Sequence, residues 1–105
     1  MVARVDAILR DSHGSFPTMI QVCDMLDVGE KTLRRHLHKQ GTSYRQLLLD
    51  TRMARARYYL EHTDIGIEEI AYRLDYSDYA NFRRAFQAKH QETPSKYRIR
   101  FGSSA

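Results

Sequence analysis

Two short stretches of the chain carry paired arginines. Arg34 and Arg35 lie in the first, and Arg83 and Arg84 recur 49 residues later. A guanidinium can donate two parallel hydrogen bonds to guanine O6 and N7, or it can bind a phosphate. Exposed arginines on a helix are also common on a solvated face that binds nothing. Because the pair recurs at equivalent positions, a binding role is favoured over the solvated face.

The net charge of +4 over 105 residues is unevenly distributed. Residues 30–62 hold eight bases against three acids, and residues 82–105 hold six bases against one acid. Residues 1–29 and 63–81 are acidic, with net charges of −2 and −4. Thirteen of the 17 bases are arginine. Positive charge is therefore placed twice, which indicates two surfaces for polyanionic partners.

The two basic blocks belong to an internal repeat. Residues 23–28 align with residues 71–76 at a spacing of 48, because both contain a small residue, a leucine, an aspartate and an apolar residue in order. Residues 33–37 align with residues 82–86 at a spacing of 49, so the second copy has one extra residue in its turn. Two copies are too few for a solenoid.

Capping and turn residues predict an all-α fold. Seven helices are expected, near 2–12, 18–26, 30–39, 43–62, 67–74, 78–90 and 94–101. Predicted helix starts are Thr18 with Gln21, Ser43 with Gln46, Ser77 before Asp78, and Thr93 before Pro94. Gly14 and Gly41 are predicted C-caps, and Gly29 and Gly66 are predicted turn or N-cap residues. Each repeat then holds a short helix, a turn and a second helix, which is the helix-turn-helix arrangement.

The second helix of each repeat separates into two faces. In 30–39 the apolar stripe consists of Leu33 and Leu37, and in 78–90 it consists of Tyr79, Phe82, Ala85 and Phe86. The opposite faces carry Lys31, Thr32, Arg35 and His38 in the first helix, and Ala80, Asn81, Arg84 and Gln87 in the second. Arginine suits guanine, asparagine suits adenine, and small groups suit the thymine methyl. Arg34 and Arg83 lie on the flanks and are expected to meet phosphates.

The predicted helix 43–62 joins the repeats. Its 20 residues would span about 30 Å, close to the ~34 Å between successive major-groove faces on one side of a duplex. Its apolar residues could equally make it ordinary core scaffolding, and both roles are expected together. If the spacing is meaningful, one protomer reads two adjacent groove segments and its site need not be palindromic.

Residues 70–86 and 93–98 carry a signature. Ile-Ala-Tyr-Arg-Leu, then Tyr-Ser-Asp-Tyr-Ala-Asn-Phe-Arg-Arg-Ala-Phe, then Thr-Pro-Ser-Lys-Tyr-Arg resembles the C-terminal DNA-binding domain of AraC/XylS-family bacterial transcription regulators. The first half resembles it more loosely, through residues 33–37, 41–44 and 52–56. The resemblance covers about residues 3–101 and implies two helix-turn-helix subdomains, 1–42 and 63–101, with a linker helix 43–62. Residues 102–105 are expected to form a flexible tail.

The resemblance also implies a set of DNA contacts. By position in the family, base contacts are expected at Lys31, Arg34, Arg35, Tyr79, Ala80, Asn81 and Arg84, with Arg34 and Tyr79 ranked lower, and the outward face of the first helix adds Thr32. Phosphate contacts are expected at His38, Ser43, Tyr44, Arg83, Gln87, Thr93, Ser95 and Arg98. The implied partners are double-stranded DNA and RNA polymerase, and the implied role is a transcription activator. The effector or dimerisation domain that usually precedes this one is expected to be absent, so that Met1 begins an isolated domain or an unusually short member.

Three positions depart from the family pattern. Asp75 and Gln91 stand where the family usually has glycine, and Asp75 is expected to strain or reshape the second turn. Cys23 replaces the usual alanine and is expected to be a small core residue rather than a redox sensor.

Other chemistry has little support in the sequence. No phosphate-binding glycine loop or nucleophile–base grouping is present, so an enzyme is not expected, nor is a cofactor. His36 and His38 lie too far apart around a helix to chelate one metal. Tyr44, Tyr59, Tyr72 and Tyr97 are expected to pack in the core rather than stack on single-stranded bases.

The cellular location is predicted from the small number of cysteines and the lack of membrane or signal segments. It has one cysteine and no apolar stretch long enough for a membrane span or a signal peptide. A cytoplasmic, nucleoid-associated protein is therefore expected. One alternative of another class stays open, which is a helical protein-interaction module whose basic faces bind acidic partners.

Overall fold

The computed structural model describes residues 1–102, over which the chain forms seven α-helices and no strand. The helices are α1 (Val2–Asp11), α2 (Met19–Leu26), α3 (Glu30–Lys39), α4 (Tyr44–His62), α5 (Ile67–Arg73), α6 (Tyr79–His90) and α7 (Pro94–Phe101). This confirms the all-α prediction. The tail predicted at 102–105 falls, from residue 103 onward, outside the described residues.

The chain divides into two units, Met1–Thr51 and the part from Arg52 onward, so that α4 contributes to both. In the first unit, apolar residues from α1 to the start of α4 form one buried cluster, which also contains Cys23 at 5% exposure. Cys23 is therefore a small core residue, as predicted. The members of the cluster are Val5, Leu9, Phe16, Val22, Cys23, Leu26, Leu33, Leu37 and Leu47.

The second unit buries residues from α4, α5, α6 and α7. Phe82 and Phe86 of α6 are fully buried, and their rings lie 5.9 Å apart. The other buried apolar residues are Met53, Ala56, Leu60, Ile70, Ala71, Leu74 and Tyr97. Tyr72 was predicted to pack in the core, and that prediction is wrong. Its side chain is 77% exposed, because Ile70, Ala71 and Leu74 occupy the inward face of α5.

Side-chain caps begin most of the helices where the sequence placed them. Thr18 Oγ1 accepts from the Gln21 amide and the Gln21 side chain accepts from the Thr18 amide, which completes a capping box. Thr93 caps α7 ahead of Pro94. Ser43 Oγ accepts from the Gln46 amide, but the Gln46 side chain bonds to Asp50, so only half of that predicted box forms.

Three of the four glycines that were predicted to lie at caps or turns have the predicted role. Gly29 and Gly66 are N-caps. Gly41 has a φ of 75°, and the backbone bonds Gly41 N to His38 O and Thr42 N to Leu37 O close the end of α3 around it. Gly14 also has a positive φ, but α1 ends at Asp11 with Ser12 as its C-cap, so Gly14 is a turn residue rather than the predicted C-cap.

The two helix-turn-helix turns share one backbone geometry. Asp27 N bonds to Asp24 O and Val28 N to Cys23 O, and 48 residues later the amides of Asp75 and Tyr76 make the same two bonds. Asp27 and Asp75 both lie in the left-handed region, with φ of 55° and 67°. Asp75 therefore keeps the conformation that glycine would adopt, and the second turn is strained but not reshaped.

Candidate nucleic-acid interface

The outward face of α3 carries the residues predicted to read bases in the first unit. Leu33 and Leu37 are buried at 0% and 1% exposure, which turns Lys31, Arg35 and His38 outward. Thr32, between them, is half-buried. Arg35 makes no hydrogen bond or ion pair to any residue in the described range 1–102. It is therefore available to an external partner.

Arg34 lies on the flank of this face, as predicted. Its NH2 nitrogen donates to Glu30 Oε1 at 2.6 Å, in a pair whose side chains are 65% and 47% exposed. An exposed pair of this kind contributes little stability and can exchange its partner at small cost. Arg34 can therefore leave Glu30 for a phosphate or a base edge.

A cleft of about 400 Å³ opens between α2, the end of α3 and the start of α4. It brings the predicted phosphate contacts His38 and Ser43 together with Arg34, at the N-terminus of α4, where helix amides attract anions. Its lining residues are Met19, Arg34, Leu37, His38, Thr42, Ser43, Tyr44 and Arg45.

Two residues of this cleft differ from what the sequence analysis expected of them. Arg45 was missed as a candidate, although it belongs to a basic block and follows two predicted contacts. Tyr44 was predicted to contact phosphate, but its hydroxyl donates to the carbonyl of Pro17. A phosphate could receive that proton only if the bond to Pro17 broke.

In the second unit, α6 turns an equivalent face outward. Phe82 and Phe86 are buried, and Ala80, Arg84 and Gln87 are exposed opposite them. Tyr79 and Ala85 were predicted to be buried with the phenylalanines, but they are only half-buried because they lie at the edges of the apolar stripe. Arg83 is exposed on the flank, as predicted, and has no partner among residues 1–102.

A chain of hydrogen bonds runs along this face. Asn81 Nδ2 donates to Ser77 Oγ at 2.8 Å, and Arg84 NH2 donates to Asn81 Oδ1. Asp78 Oδ1 accepts from the Asn81 amide at 2.8 Å and caps the helix. Two of the predicted base contacts, Asn81 and Arg84, are thus bonded to each other.

The remaining predicted phosphate contacts lie at α7. Ser95 is exposed, and Thr93 Oγ1 accepts from the Lys96 amide at 3.3 Å. Arg98 is part-buried, and its Nε and NH2 donate to three backbone carbonyls, those of Leu60, Tyr59 and Thr63, at 3.1–3.3 Å. This engagement is at odds with the predicted phosphate contact, because the guanidinium would first have to leave the carbonyls.

Two titratable groups with shifted pKa values lie at the end of α6 and on α7. Arg57 NH1 lies 3.0 Å from His90 Nε2, and the His90 ring stacks on Phe86 at 4.2 Å. Burial, followed by the charge of Arg57, lowers the pKa of His90 below 6.5. Tyr97 donates to Glu61 Oε2 at 2.5 Å, and burial with that bond raises the pKa of Tyr97 to about 12. The His90 and Tyr97 rings lie 5.8 Å apart, so both groups pack where α6 meets α7.

Two further properties concern the whole described range, residues 1–102. It contains no group of three or more His, Cys, Asp or Glu side chains that could hold a metal ion. None of its helices is both long and apolar enough to cross a membrane.

Comparison with known proteins places this arrangement in a family. Residues 22–100 match the family profile described as a helix-turn-helix domain. The ornithine utilization regulator of Pseudomonas aeruginosa is 40% identical over 98 residues, which is 93% of this chain and 29% of that protein. The chain thus spans less than a third of that relative's length.

Solved structures share the fold. A DNA-binding transcriptional dual regulator from Escherichia coli K-12 superposes with a TM-score of 0.89 at 25% identity, over 94% of this chain and 89% of the other. The DNA-binding domain of AdpA, a global transcriptional factor solved with a target DNA, has the same fold, with a TM-score of 0.85 at 21% identity and coverage of 95% and 91%. The chain therefore belongs to the AraC/XylS-type helix-turn-helix family of DNA-binding transcription regulators.

Proposed function

We propose that this chain binds double-stranded DNA at a specific sequence by placing α3 and α6 in major grooves. One observation carries the proposal. At equivalent positions of the repeat, Arg35 and Arg84 project from exposed helix faces that lie directly opposite buried apolar stripes. Such a face presents guanidinium donors to base edges while the stripe holds the helix against its unit.

The backbone contacts divide between the two units. In the first unit, His38, Ser43 and Arg45 line one cleft and would hold a phosphate there. In the second unit, Arg83, Gln87 and Ser95 are exposed and would contact phosphates beside α6. Lys31, Thr32 and Ala80 would meet bases at the centre of each face.

The wider role is proposed from the family. Subdomains 1–42 and 63–101, joined by the helix 43–62, would enter successive major grooves of a non-palindromic site. The full-length protein would act in the cytoplasm on nucleoid DNA, as an activator that contacts RNA polymerase. A promoter–reporter assay with and without the protein tests the sign of regulation.

Selection from random duplexes, followed by footprinting, tests the DNA function directly. We expect one sequence to bind about 10³-fold or more above random duplex, with affinity falling linearly in log salt. Two protected segments about 10 base pairs apart are expected. Binding to acidic proteins with no preference among duplexes would support the protein-interaction alternative instead.

Substitutions assign the residues. Arg35→Ala and Arg84→Ala should each cost about 1–3 kcal/mol and relax specificity in separate halves of the site. Arg83→Ala should weaken specific and random DNA about equally. The matched control is Arg10→Ala, because Arg10 is an exposed arginine that pairs with Asp6 on α1. If Arg35→Ala or Arg84→Ala binds like the Arg10→Ala control, the base contact assigned to that residue is wrong.

A further inference from the structure

The bonds among Ser77, Asn81 and Arg84 have a fixed polarity. A guanidinium has only donors, so the Asn81 side chain must turn its oxygen toward Arg84. Its NH₂ group then faces Ser77, and the Ser77 oxygen must accept. Both ends of the Asn81 side-chain amide are therefore in use. The amide oxygen keeps one lone pair and the nitrogen keeps one hydrogen, so direct reading of adenine by Asn81 would have to use these remaining sites or displace Ser77 and Arg84.

Arg84 keeps the donors that such a contact requires. The guanidinium carries five N–H donors in a planar fork, and the bond to Asn81 uses one nitrogen, NH2. Guanine needs two parallel donors on one edge. The fork can thus be held at one end by Asn81 while its other edge faces a base.

Among the described residues, the first unit has no equivalent of the hydrogen bonds that join Ser77, Asn81 and Arg84. The N-cap of α3 is Gly29, which has no side chain to cap the helix, and Thr32 stands where α6 has Asn81. In the repeat, Asp27 and Val28 align with Asp75 and Tyr76 at a spacing of 48. The two N-caps, Gly29 and Asp78, align at a spacing of 49. Ser77 is therefore the extra residue of the second turn, and it supplies the acceptor for Asn81.

We propose that Asn81, anchored by Ser77, is a positioning residue that fixes the guanidinium of Arg84 for guanine. The proposal rests on the proposed DNA function and deepens it. Holding a long side chain before binding removes part of the entropy cost of ordering it on DNA. Arg35 has no such support. The second unit should therefore discriminate at its guanine more sharply than the first unit does at its own.

A double-mutant cycle tests this assignment. Binding of the parent, Asn81→Ala, Arg84→Ala and the double variant is measured on the selected site and on duplexes altered at one base pair at a time. Asn81→Ala should lose discrimination, by about fivefold to about a hundredfold, at the same base pair as Arg84→Ala. The double variant should be no worse than Arg84→Ala alone. Thr32→Ala, at the equivalent position of the first unit, should change discrimination only in the other half of the site.

Substitution at Ser77 tests the anchor. Ser77→Ala should reproduce part of the Asn81→Ala effect, and Ser77→Thr should restore discrimination because it keeps a hydroxyl. Side-chain NMR of the free protein gives a readout without DNA. The Asn81 side-chain NH₂ signals and the Arg84 guanidinium signals should shift together in Ser77→Ala and return in Ser77→Thr.

Separate outcomes overturn the two proposals. One such outcome is that Asn81→Ala loses discrimination at a base pair that Arg84→Ala leaves intact, and that the losses in affinity of the two single variants multiply in the double variant. In that case Asn81 reads that base itself and the positioning role is wrong. Unchanged NMR signals in Ser77→Ala would overturn the anchor. A parent that prefers no duplex sequence would overturn the DNA function, and the positioning role would fall with it.

Discussion

Replacing Arg98 by alanine should destabilise the second unit. The Arg98 guanidinium donates to the carbonyls of Tyr59, Leu60 and Thr63 at the end of α4. The Tyr59 carbonyl also accepts from the Thr63 amide and hydroxyl, so it keeps partners in the variant. The loss falls on the Leu60 and Thr63 carbonyls, and on the favourable charge at a helix C-terminus.

These contacts set the expected size of the effect. A hydrogen bond to a charged group contributes about 1.5–3 kcal/mol, and water can replace part of that value at part-buried carbonyls. A cation at a helix C-terminus adds about 0.3–1 kcal/mol. We therefore expect Arg98→Ala to lower the free energy of unfolding by about 2–4 kcal/mol. That loss corresponds to roughly 10–25 °C in Tm for a unit of this size.

Chemical denaturation and thermal melts would measure the loss. Arg98→Lys should fall between parent and alanine, because one ammonium cannot match a planar fork spread over three carbonyls. Arg83→Ala is the matched control for stability, since Arg83 is exposed on α6 and has no partner among residues 1–102. It should cost less than about 1 kcal/mol.

Arg98→Ala could instead leave the unfolding free energy unchanged and reduce the slope of log affinity against log salt by about 1. That pair of results would refute the reasoning. These results would instead support the phosphate contact that was predicted for Arg98 from the sequence.

Two further variants test single features of the fold. Gly41→Ala should destabilise the first unit by about 1 kcal/mol, measured by denaturation, because an added Cβ meets open space and the cost is that of a φ near 75° alone. Equal stability would show that the turn relaxes. The second unit should lose stability as the pH falls below 6.5, because the unfolded chain then binds a proton that the lowered pKa of His90 excludes. The contribution of His90 to the stability of the second unit is fully present above pH 6.5. His90→Phe should flatten the dependence of stability on pH, while His13→Gln, at an exposed residue, should not. A parent protein whose stability is constant between pH 5 and pH 7 would contradict this prediction.

Features set by neighbouring residues along the chain were predictable. The Thr18 capping box, the Gly41 turn, and the buried stripes of α3 and α6 depend on side chains within about four residues of each other. The repeat itself was visible in the sequence, but the equal backbone bonds of its two turns were not predicted, since Asp75 was expected to strain or reshape the second turn.

Features set by distant partners were not predictable. Arg98 lies about 35–39 residues from the carbonyls it binds, and Tyr44 lies 27 residues from Pro17. A helical wheel shows which face is outward, but it shows no partner from another element. Tyr72 was misplaced because its position was interpreted as one that packs against other helices, whereas its neighbours Ile70, Ala71 and Leu74 take the inward positions.

The link between Asn81 and Arg84 is a different case. The two residues are three positions apart on a helix, so their contact could have been found from spacing alone. Each was instead matched separately to a base. Under the proposed positioning role, Arg84 reads the base and Asn81 holds Arg84.

The burial of Cys23 gives the protein an internal reporter of its own opening. It is the chain's one cysteine, it lies in the first unit, and it is 5% exposed. A thiol reagent can reach it only when that core separates, so the labelling rate measures the local opening equilibrium of the first unit. Global denaturation averages over both units, whereas labelling follows one of them. The thiol thus allows the stability of the first unit to be measured separately from that of the second without adding any probe.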